Sequence, residues 1–527
     1  MNEIDGDMSC VVRRILEDLF FNPEQHDFSR SGVNVEFHDR GHALIHADLR
    51  LVLADESALH AIYACKGSSG LKICLICTNV YNGTNPREVA AADRTRTAVY
   101  HTCAEVARFQ HITPAIMAAI VRRLTGAAAS LSATKLDELQ TDIGWKYVLH
   151  GLMFSESTRV RCCPSTRAAF DWAHVFFVNG VFNVAGGLLL HSLRRLKVDM
   201  SAVSGYIALF RWPSGIGQSV KPHEVFSKSR LASSLEKKTL RCSASEGLCV
   251  LPVLAAFCET LNSSHPDPEV RRHAHCFLLL ALVIGQVLRS ARGLMDRHEF
   301  LRRAQAFLPV FCALYGEAFA TPKFHYMMHL GLYRLEFLPN CLVHERKHKG
   351  VKRYANPVFN THIDWDKAIL EEVTCLHIEK LINAPPIQFS YEAGLDDARA
   401  PSRKMMRVLQ SALGDSPKDA MRVSNTARVN KFEKVSVGDI VLVGTSEPPI
   451  IGKVGPHVAV SDAQHTEHVT LIDEFNVSSE SRRFWKCTAA GRQSIVPTGS
   501  IDAAVVWGGG AIFTVLKPLH ATRSKDI

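Results

Sequence analysis

Long uninterrupted apolar stretches are scarce in this chain of 527 residues. The two longest cover residues 276–288 and 175–190. The first falls short of the roughly 20 residues that span a bilayer. The second is broken by Asn179, Asn183 and three glycines, so both are expected to be buried helices. The first ten residues carry three acids and lack the apolar centre of a secretory leader. A soluble, intracellular protein with no membrane partner is the expectation. A disulfide framework is missing as well. The fifteen cysteines are odd in number and scattered, which fits reduced core residues better than paired ones. Nor is there a strong charge imbalance: a net charge of +9 permits a nucleic-acid partner without demanding one. With 47% hydrophobic and 21% charged residues the composition is that of a globular protein, long enough for two or three domains.

One segment stands out against this ordinary background. Residues 341–354 read Cys-Leu-Val-His-Glu-Arg-Lys-His-Lys-Gly-Val-Lys-Arg-Tyr. A single carboxylate, Glu345, sits among His344, Arg346, Lys347, His348, Lys349, Lys352 and Arg353. A solvated helix face interleaves acids and bases. One acid embedded in base is the pattern of a carboxylate that holds a divalent metal while its neighbours hold phosphates. The same residues spell H-E-x-x-H, in which His344 and His348 would bind zinc and Glu345 would act as general base of a protease. Arg346 and Lys347 count against that reading, because crowding cations around Zn²⁺ is unfavourable. A plain basic surface helix is the third alternative.

Periodicity organises the rest. Residues 10–21 have the spacing of an amphipathic helix, and 43–54 that of a strand. Asp55 follows as a helix N-cap, at the C-terminal end of a strand, where open α/β sheets place ligand and metal groups. Residues 65–103 are Cys-rich. Helical patterns cover 113–124, 143–154, 168–196, 248–261, 270–288 and 297–314, with a polar, basic loop at 218–238 and further helix expected at 365–381. Residues 384–430 hold Pro, Ser, Asp and Gly and read as a linker. Short apolar strands at 437–444, 452–454, 468–472 and 504–507 mark a small all-β, barrel-like domain.

Three further constellations could carry chemistry. Cys74-Leu-Ile-Cys77 is a C-x-x-C, with Cys65 before it and His101 and Cys103 after it. Four nitrogen or sulfur ligands for a structural zinc can be drawn from this set, with Cys65, Cys74, Cys77 and Cys103 as the expected four. Reduced core cysteines are the alternative; a redox pair lacks the thioredoxin-like context it needs. Asp171 and His174 lie at i and i+3 on one helix face, a spacing that also suits an ordinary polar pair at a helix start. His325 and His329, at i and i+4, have metal-compatible spacing, but the surrounding Met and aromatic residues read as core.

The order of these pieces resembles the later two-thirds of a CACTA-type (En/Spm-like) DDE transposase, over residues 8–382. The elements that carry the likeness are Asp55, the segment Lys-Gly-Ser-Ser-Gly-Leu-Lys-Ile-Cys-Leu-Ile-Cys (66–77), Phe-Asp-Trp-Ala-His (170–174), Pro-Lys-Phe-His (322–325) and His-Glu-Arg-Lys-His-Lys-Gly-Val-Lys-Arg-Tyr (344–354). The resemblance implies an α/β plus α fold. A truncated RNase H-like core (1–64) would be followed by a zinc-knuckle-like segment (65–103) and a large helical insertion (104–335). A basic helical part of the core (336–383), a linker (384–430) and the barrel-like domain (431–527) would complete it. It further implies that Asp55 and Glu345 are the second and third catalytic carboxylates, with Asp171 and His174 as a D-x-x-H pair beside them. Such carboxylates hold two Mg²⁺ or Mn²⁺ ions that activate a hydroxyl and stabilise the leaving oxygen in displacement at phosphorus. Arg346, Lys347, Lys349, Lys352 and Arg353 would contact phosphates of double-stranded DNA.

The family's first Asp has no counterpart here. Asp5 and Asp7 lie off any strand pattern and Asp48 is too close to Asp55. The expectation is therefore a nuclear, transposase-derived DNA-binding protein, incomplete or inactive in strand cleavage. It would carry a structural zinc, form homo-oligomers, and have a protein partner for the β domain. The rival expectations are a non-catalytic chromatin or DNA-binding module and a zinc metalloprotease.

Overall fold

The computed structural model describes residues 7–21, 27–37, 41–82, 97–216, 220–291, 293–333, 338–341, 373–376, 379, 393–413, 421–430, 433–444, 450–461, 465–509 and 511–519. The chain is mixed α/β and divides into two compact units. One comprises Met1–Leu188, Lys237–Leu240 and Leu282–Arg346; the other comprises Leu189–Glu236, Arg241–Ala281 and Lys347–Ile527. Each is assembled from separated stretches, so the helical region expected at 104–335 contributes to both.

In the first unit the expected strand at 43–54 is two strands. Gly41–Ile45 folds back on Val33–Phe37 as an antiparallel hairpin, and Val52–Ala54 pairs elsewhere. Its partner is Ala168–Phe170, which is parallel to it with Ala54 opposite Phe170. The expected helix at 168–196 therefore begins as a strand. Ala-Ala-Phe is buried along its whole length, which suits a parallel strand covered on both faces. Asp171 then caps a short helix, Trp172–Phe177, and Val181–Arg195 follows. No helix forms at 143–154. Gly144, in the left-handed region at φ +84°, ends the Ala133–Ile143 helix by donating its N–H to the Gln140 carbonyl. The core of this unit is aromatic: Phe307, Phe311 and Phe324 pack together, and Phe170 stacks on Tyr326 with ring centroids 4.2 Å apart.

By length and composition alone, three helices are apolar enough to cross a membrane: Trp172–Arg195, Ala244–Ser264 and Pro268–Ser290. Trp172–Arg195 and Pro268–Ser290 each extend beyond the apolar run within them. Of their apolar windows 83%, 56% and 67% is buried inside protein, so packing already uses most of that surface.

The second unit carries a nine-stranded antiparallel sheet. Its path runs Ile501–Ala504, Ile440–Val443, Ile450–Ser461, Thr466–Glu480, Phe484–Pro497, Phe513–Leu516, Trp507–Gly509 and Phe210–Arg211, with Met421–Ser424 also on Ile450–Ser461. The expected barrel is thus an open sheet. At the far end of the path Trp507–Gly509 pairs with Phe210–Arg211 and not with Ile501–Ala504. Part of the stretch expected as a linker is folded: Arg403–Leu413 is a helix whose Leu409 enters the sheet core with Met421, Val423 and Val458. Met405, Met406, Leu409 and Leu413 have helical spacing that the flanking Pro, Ser and Gly obscured. The basic loop expected at 218–238 likewise contains the helix Lys228–Lys237, which buries Leu231 and Leu235.

One buried polar network in this unit has a defined proton arrangement. His457 Nε2 lies 3.0 Å from the Val435 carbonyl and Nδ1 lies 2.8 Å from Thr470 Oγ1, which is 3.0 Å from Thr498 Oγ1. A carbonyl only accepts, so Nε2 carries the proton and Nδ1 accepts from Thr470. Burial holds the imidazole down to about 4, only partly offset by the Val435 bond and the Asp439 charge. Folding thus favours neutral His457. Its stabilisation is complete above the unfolded value near 6.5 and is lost as pH falls towards 4, on the order of 3 kcal/mol in all. Urea midpoints measured between pH 7 and pH 4 are expected to fall accordingly, and His457→Gln is expected to flatten that part of the profile.

Candidate metal centre and carboxylate site

The C-x-x-C segment is a pinned loop. Leu71 N–H donates to Thr141, Ile112 N–H to Ile76, and Thr78 N–H to Gln110. These bonds hold Cys74 and Cys77 on the inner side of the loop, fully buried. Facing them is the helix Pro322–Leu330, which starts with proline at its first position, where no N–H is needed. His325 and His329 are one turn apart on it and their Nε2 atoms are 3.0 Å from each other. Cys74 Sγ and Cys77 Sγ each lie 3.4 Å from His329 Nε2. One ligand atom from each of the four residues falls within 4.8 Å of the others.

This donor set fits a structural zinc: two sulfurs and two nitrogens, closed and buried. Although burial pushes thiols up, the Cys77 hydrogen bond and the neighbouring histidines hold Cys74 well below its ordinary value, while Cys77 is pushed well above. The pair already favours one thiolate. The Ile76 N–H, 3.3 Å from Cys74 Sγ, stabilises that charge. His325 Nδ1 is buried without a partner among the described residues, so the ring's polar contacts come from the cluster side.

Two of the expected zinc ligands are replaced. Cys65 is buried apart from the cluster, beside the bridge to Trp145, and burial pushes its thiol up to about 12. Cys103 is half-buried with its sulfur 3.9 Å from the Glu105 carbonyl. His101 is also elsewhere: its Nε2 donates to the Ala320 carbonyl at 2.7 Å, which anchors the approach to the Pro322 helix. The other members of the cluster, His325 and His329, showed a metal-compatible spacing in sequence. A separation of 252 positions between Cys77 and His329 hid their target.

Beside this cluster lies a group of acids. Asp55 and Asp171 follow the paired ends of the two parallel strands, and Asp171 N–H donates to the Ala54 carbonyl at 3.2 Å. Each aspartate caps the helix after it. Asp55 Oδ1 accepts from Ala58 N–H at 2.7 Å and Ser57 Oγ at 2.8 Å; Oδ2 has no hydrogen bond among the described residues. Burial alone would raise this carboxyl, but those bonds and the charge of His174 bring it below its usual value. Asp171 accepts from Ala173 N–H at 2.9 Å and holds His174 Nδ1 at 2.5 Å. The expected D-x-x-H pair is therefore a direct contact. A depression next to it is lined by Asp55, Glu56, Ser57, His174 and Lys323.

The Pro322 helix serves both sites. Lys323 Nζ donates to the carbonyls of His174 at 3.2 Å and Val178 at 2.6 Å, at the end of the helix that Asp171 opens. Burial lowers its ammonium, while the charges of Glu56, Asp55 and Asp171 oppose that. Tyr326 Oη lies 3.1 Å from Glu56 Oε1 and 3.0 Å from the Ile73 carbonyl. One hydroxyl proton cannot serve both acceptors fully. Both bonds are made when Glu56 keeps its proton, and burial does push that carboxyl up. Glu345, His344, His348 and the cations Arg346, Lys347, Lys349, Lys352 and Arg353 lie outside the described residues.

No known protein family, curated protein or solved structure matches this chain.

Metal analysis of the purified chain is expected to give one zinc per molecule. Cys74→Ser, Cys77→Ser, His325→Ala and His329→Ala should each abolish stoichiometric zinc, whereas Cys65→Ser and Cys103→Ser should retain it. Zinc loss confined to the Cys65 and Cys103 variants would refute this assignment.

Proposed function

We propose that this chain is a transposase-derived DNA-binding protein whose ancestral chemistry is metal-dependent strand cleavage and transfer. The observation that carries the reading is the pairing of Asp55 and Asp171 at the ends of two adjacent parallel strands, braced by the helix that also bears His325 and His329. Sheet ends of this kind are where α/β folds gather metal-binding carboxylates. Glu345 follows that helix closely in sequence and would supply a third acid. Mg²⁺ or Mn²⁺ bound there would activate the attacking oxygen and stabilise the leaving one. The chain's own part is to hold Asp55 charged, to orient His174 through Asp171, and to keep Lys323 beside them. In this proposal the two strands belong to an RNase H-like sheet whose further Asp sits on an additional strand.

A second reading has an observation of its own. The Asp55 and Asp171 carboxylates already serve as helix caps. A core kept for that structural role would make the protein a non-catalytic DNA or chromatin-binding module in the nucleus, with the open β sheet contacting protein. The protease reading is weaker. It rests on His344, Glu345 and His348, which lie outside the described residues, and the neighbouring Arg346 and Lys347 disfavour Zn²⁺ there.

Duplex binding followed by fluorescence anisotropy over a salt series tests the DNA reading. Replacing Lys347, Lys349, Lys352 and Arg353 by Gln should reduce the slope of log K against log salt by about 3 to 4. An unchanged slope would remove the basic segment from the interface. Calorimetric Mn²⁺ titration separates the two readings: binding that Asp55→Asn weakens at least tenfold supports a metal-dependent core, and unaltered or absent binding supports the non-catalytic module.

A further inference from the structure

The helix Arg403–Leu413 contains no acid and has two unlike faces. Met405, Met406, Leu409 and Leu413 pack on the sheet. Arg403, Lys404, Arg407, Val408 and Ser411 are exposed. Arg403, Arg407 and Ser411 recur at helical spacing and form one stripe. Arg399 extends this charge beyond the start of the helix. It is bridged to Val423 in antiparallel fashion, and residues directly opposed in this way share a face. Val423 lies in the core beneath the helix, so Arg399 stands on the helix side of the sheet. Two carboxylates reach the same face, Glu467 and Asp473, at alternate positions with the core residues Val469 and Leu471. Asp473 Oδ1 accepts from Gln493 Nε2 at 2.9 Å. Among the described residues none of the four cations Arg399, Arg403, Lys404 and Arg407 forms an ion pair.

Beside the stripe runs an open groove of about 650 Å³. Arg407, Val408 and Ser411 form one wall, and Gln493 and Ile495 of the strand Phe484–Pro497 form the other. The groove thus offers aliphatic contact, a hydroxyl, an amide and a positive rim. These features select among acidic partners. Single-stranded nucleic acid stacks its bases on aromatic side chains, and none lines this groove. A duplex meets such a face through its phosphates and would leave the groove unfilled. We propose that this face docks an acidic protein segment, with carboxylates on Arg399, Arg403, Lys404 and Arg407 and an aliphatic side chain between Val408 and Ile495. Arginine–carboxylate bonds are charge-assisted and often bidentate, which gives such docking direction as well as attraction. The docking face deepens the reading of the β sheet as a protein-contacting element and is independent of the metal and DNA readings of the first unit.

Fluorescence anisotropy of the full chain with a labelled peptide of four Glu-Glu-Leu repeats tests it. Saturable one-to-one binding with a Kd of about 100 µM or tighter is expected at low salt, weakening as salt is added. Four Glu-Glu-Ser repeats carry the same charge without the aliphatic anchor and should bind roughly tenfold more weakly. The double variant Arg403→Glu, Arg407→Glu should weaken the leucine peptide at least tenfold, because like charges then face each other. Ser411→Trp, at an exposed position on the groove wall, should fill the groove and remove the preference for leucine over serine. Arg422→Glu reverses an exposed cation that alternates with the buried Met421 and Val423, hence on the other face of the sheet, and should leave binding unchanged. Circular dichroism should be the same for all variants, since every substituted side chain is exposed. No saturable binding, equal binding of the two peptides, or an equal loss with Arg422→Glu overturns the proposal. A short DNA duplex whose affinity falls with the double variant, while that of the leucine peptide holds, also overturns it and assigns the face to nucleic acid.

Discussion

The azimuth of the Pro322–Leu330 helix is the constraint on which the first unit depends. Residues advance about 100° per step around a helix, so i and i+4 nearly coincide and i and i+3 lie close. His325 and His329 share one stripe and reach the cysteines. Tyr326 and Lys323 share the neighbouring stripe and reach Glu56 and the end of the Trp172–Phe177 helix. Phe324 points a third way, into Phe307 and Phe311. A rotation by one residue would break all three sets of contacts together. The C-x-x-C loop, the strand ends and the aromatic core are thus held in one register by a helix of nine residues.

Charge is distributed across this helix in two different ways. On the cysteine side, a dication with two thiolates and two neutral imidazoles is electrically balanced, which makes deep burial tolerable. On the acid side the balance is local. Lys323 is tethered by carbonyls at a helix C-terminus, where the backbone dipole favours a cation. Burial pushes the Glu56 carboxyl up, opposed by the Lys323 charge and the Tyr326 hydroxyl. Asp55 stays ionised through the Ala58 N–H and the Ser57 hydroxyl. The two neighbouring carboxyls, Glu56 and Asp55, are therefore shifted in opposite directions by different means. Only Asp55 combines a depressed value with an oxygen that has no hydrogen bond among the described residues.

Much of this was legible in the residues, and the rest failed for identifiable reasons. The strand–Asp–helix arrangement at Asp55 followed from local pattern, because N-caps are short-range devices. The C-x-x-C was read as half of a metal site, and the structure places Cys74 and Cys77 in a cluster that could hold one. The other half was assigned to Cys65 and Cys103 because proximity in sequence is the only distance a sequence displays. The Met and aromatic residues around His325 and His329 are indeed core, and the error lay in treating core and ligand as exclusive. Asp171 does head a helix, but the residues before it were read as helix and form a strand: three buried residues, Ala168 to Phe170, are too few for periodicity to distinguish the two states. In the second unit, apolar spacing at Met405 to Leu413 was present but outweighed by its turn-rich flanks. Closure of the sheet was inferred from strand density, yet it depends on which edge the distant residues Phe210 and Arg211 occupy.

A zinc held by these four residues would have no open position for a substrate, so its contribution would be conformational. Structural zinc sites that form only on folding carry roughly 10–16 kcal/mol, which appears as folding energy of whatever the ligands join. Here they join the C-x-x-C loop to the Pro322 helix. Tyr326 reaches from that helix to both Ile73, beside Cys74, and Glu56, beside Asp55. The same hydroxyl thus ties metal loop, helix and acid site into one hydrogen-bonded unit. A metal at His325 and His329 would fix this helix, and through Lys323 and Tyr326 it would also order the acid site.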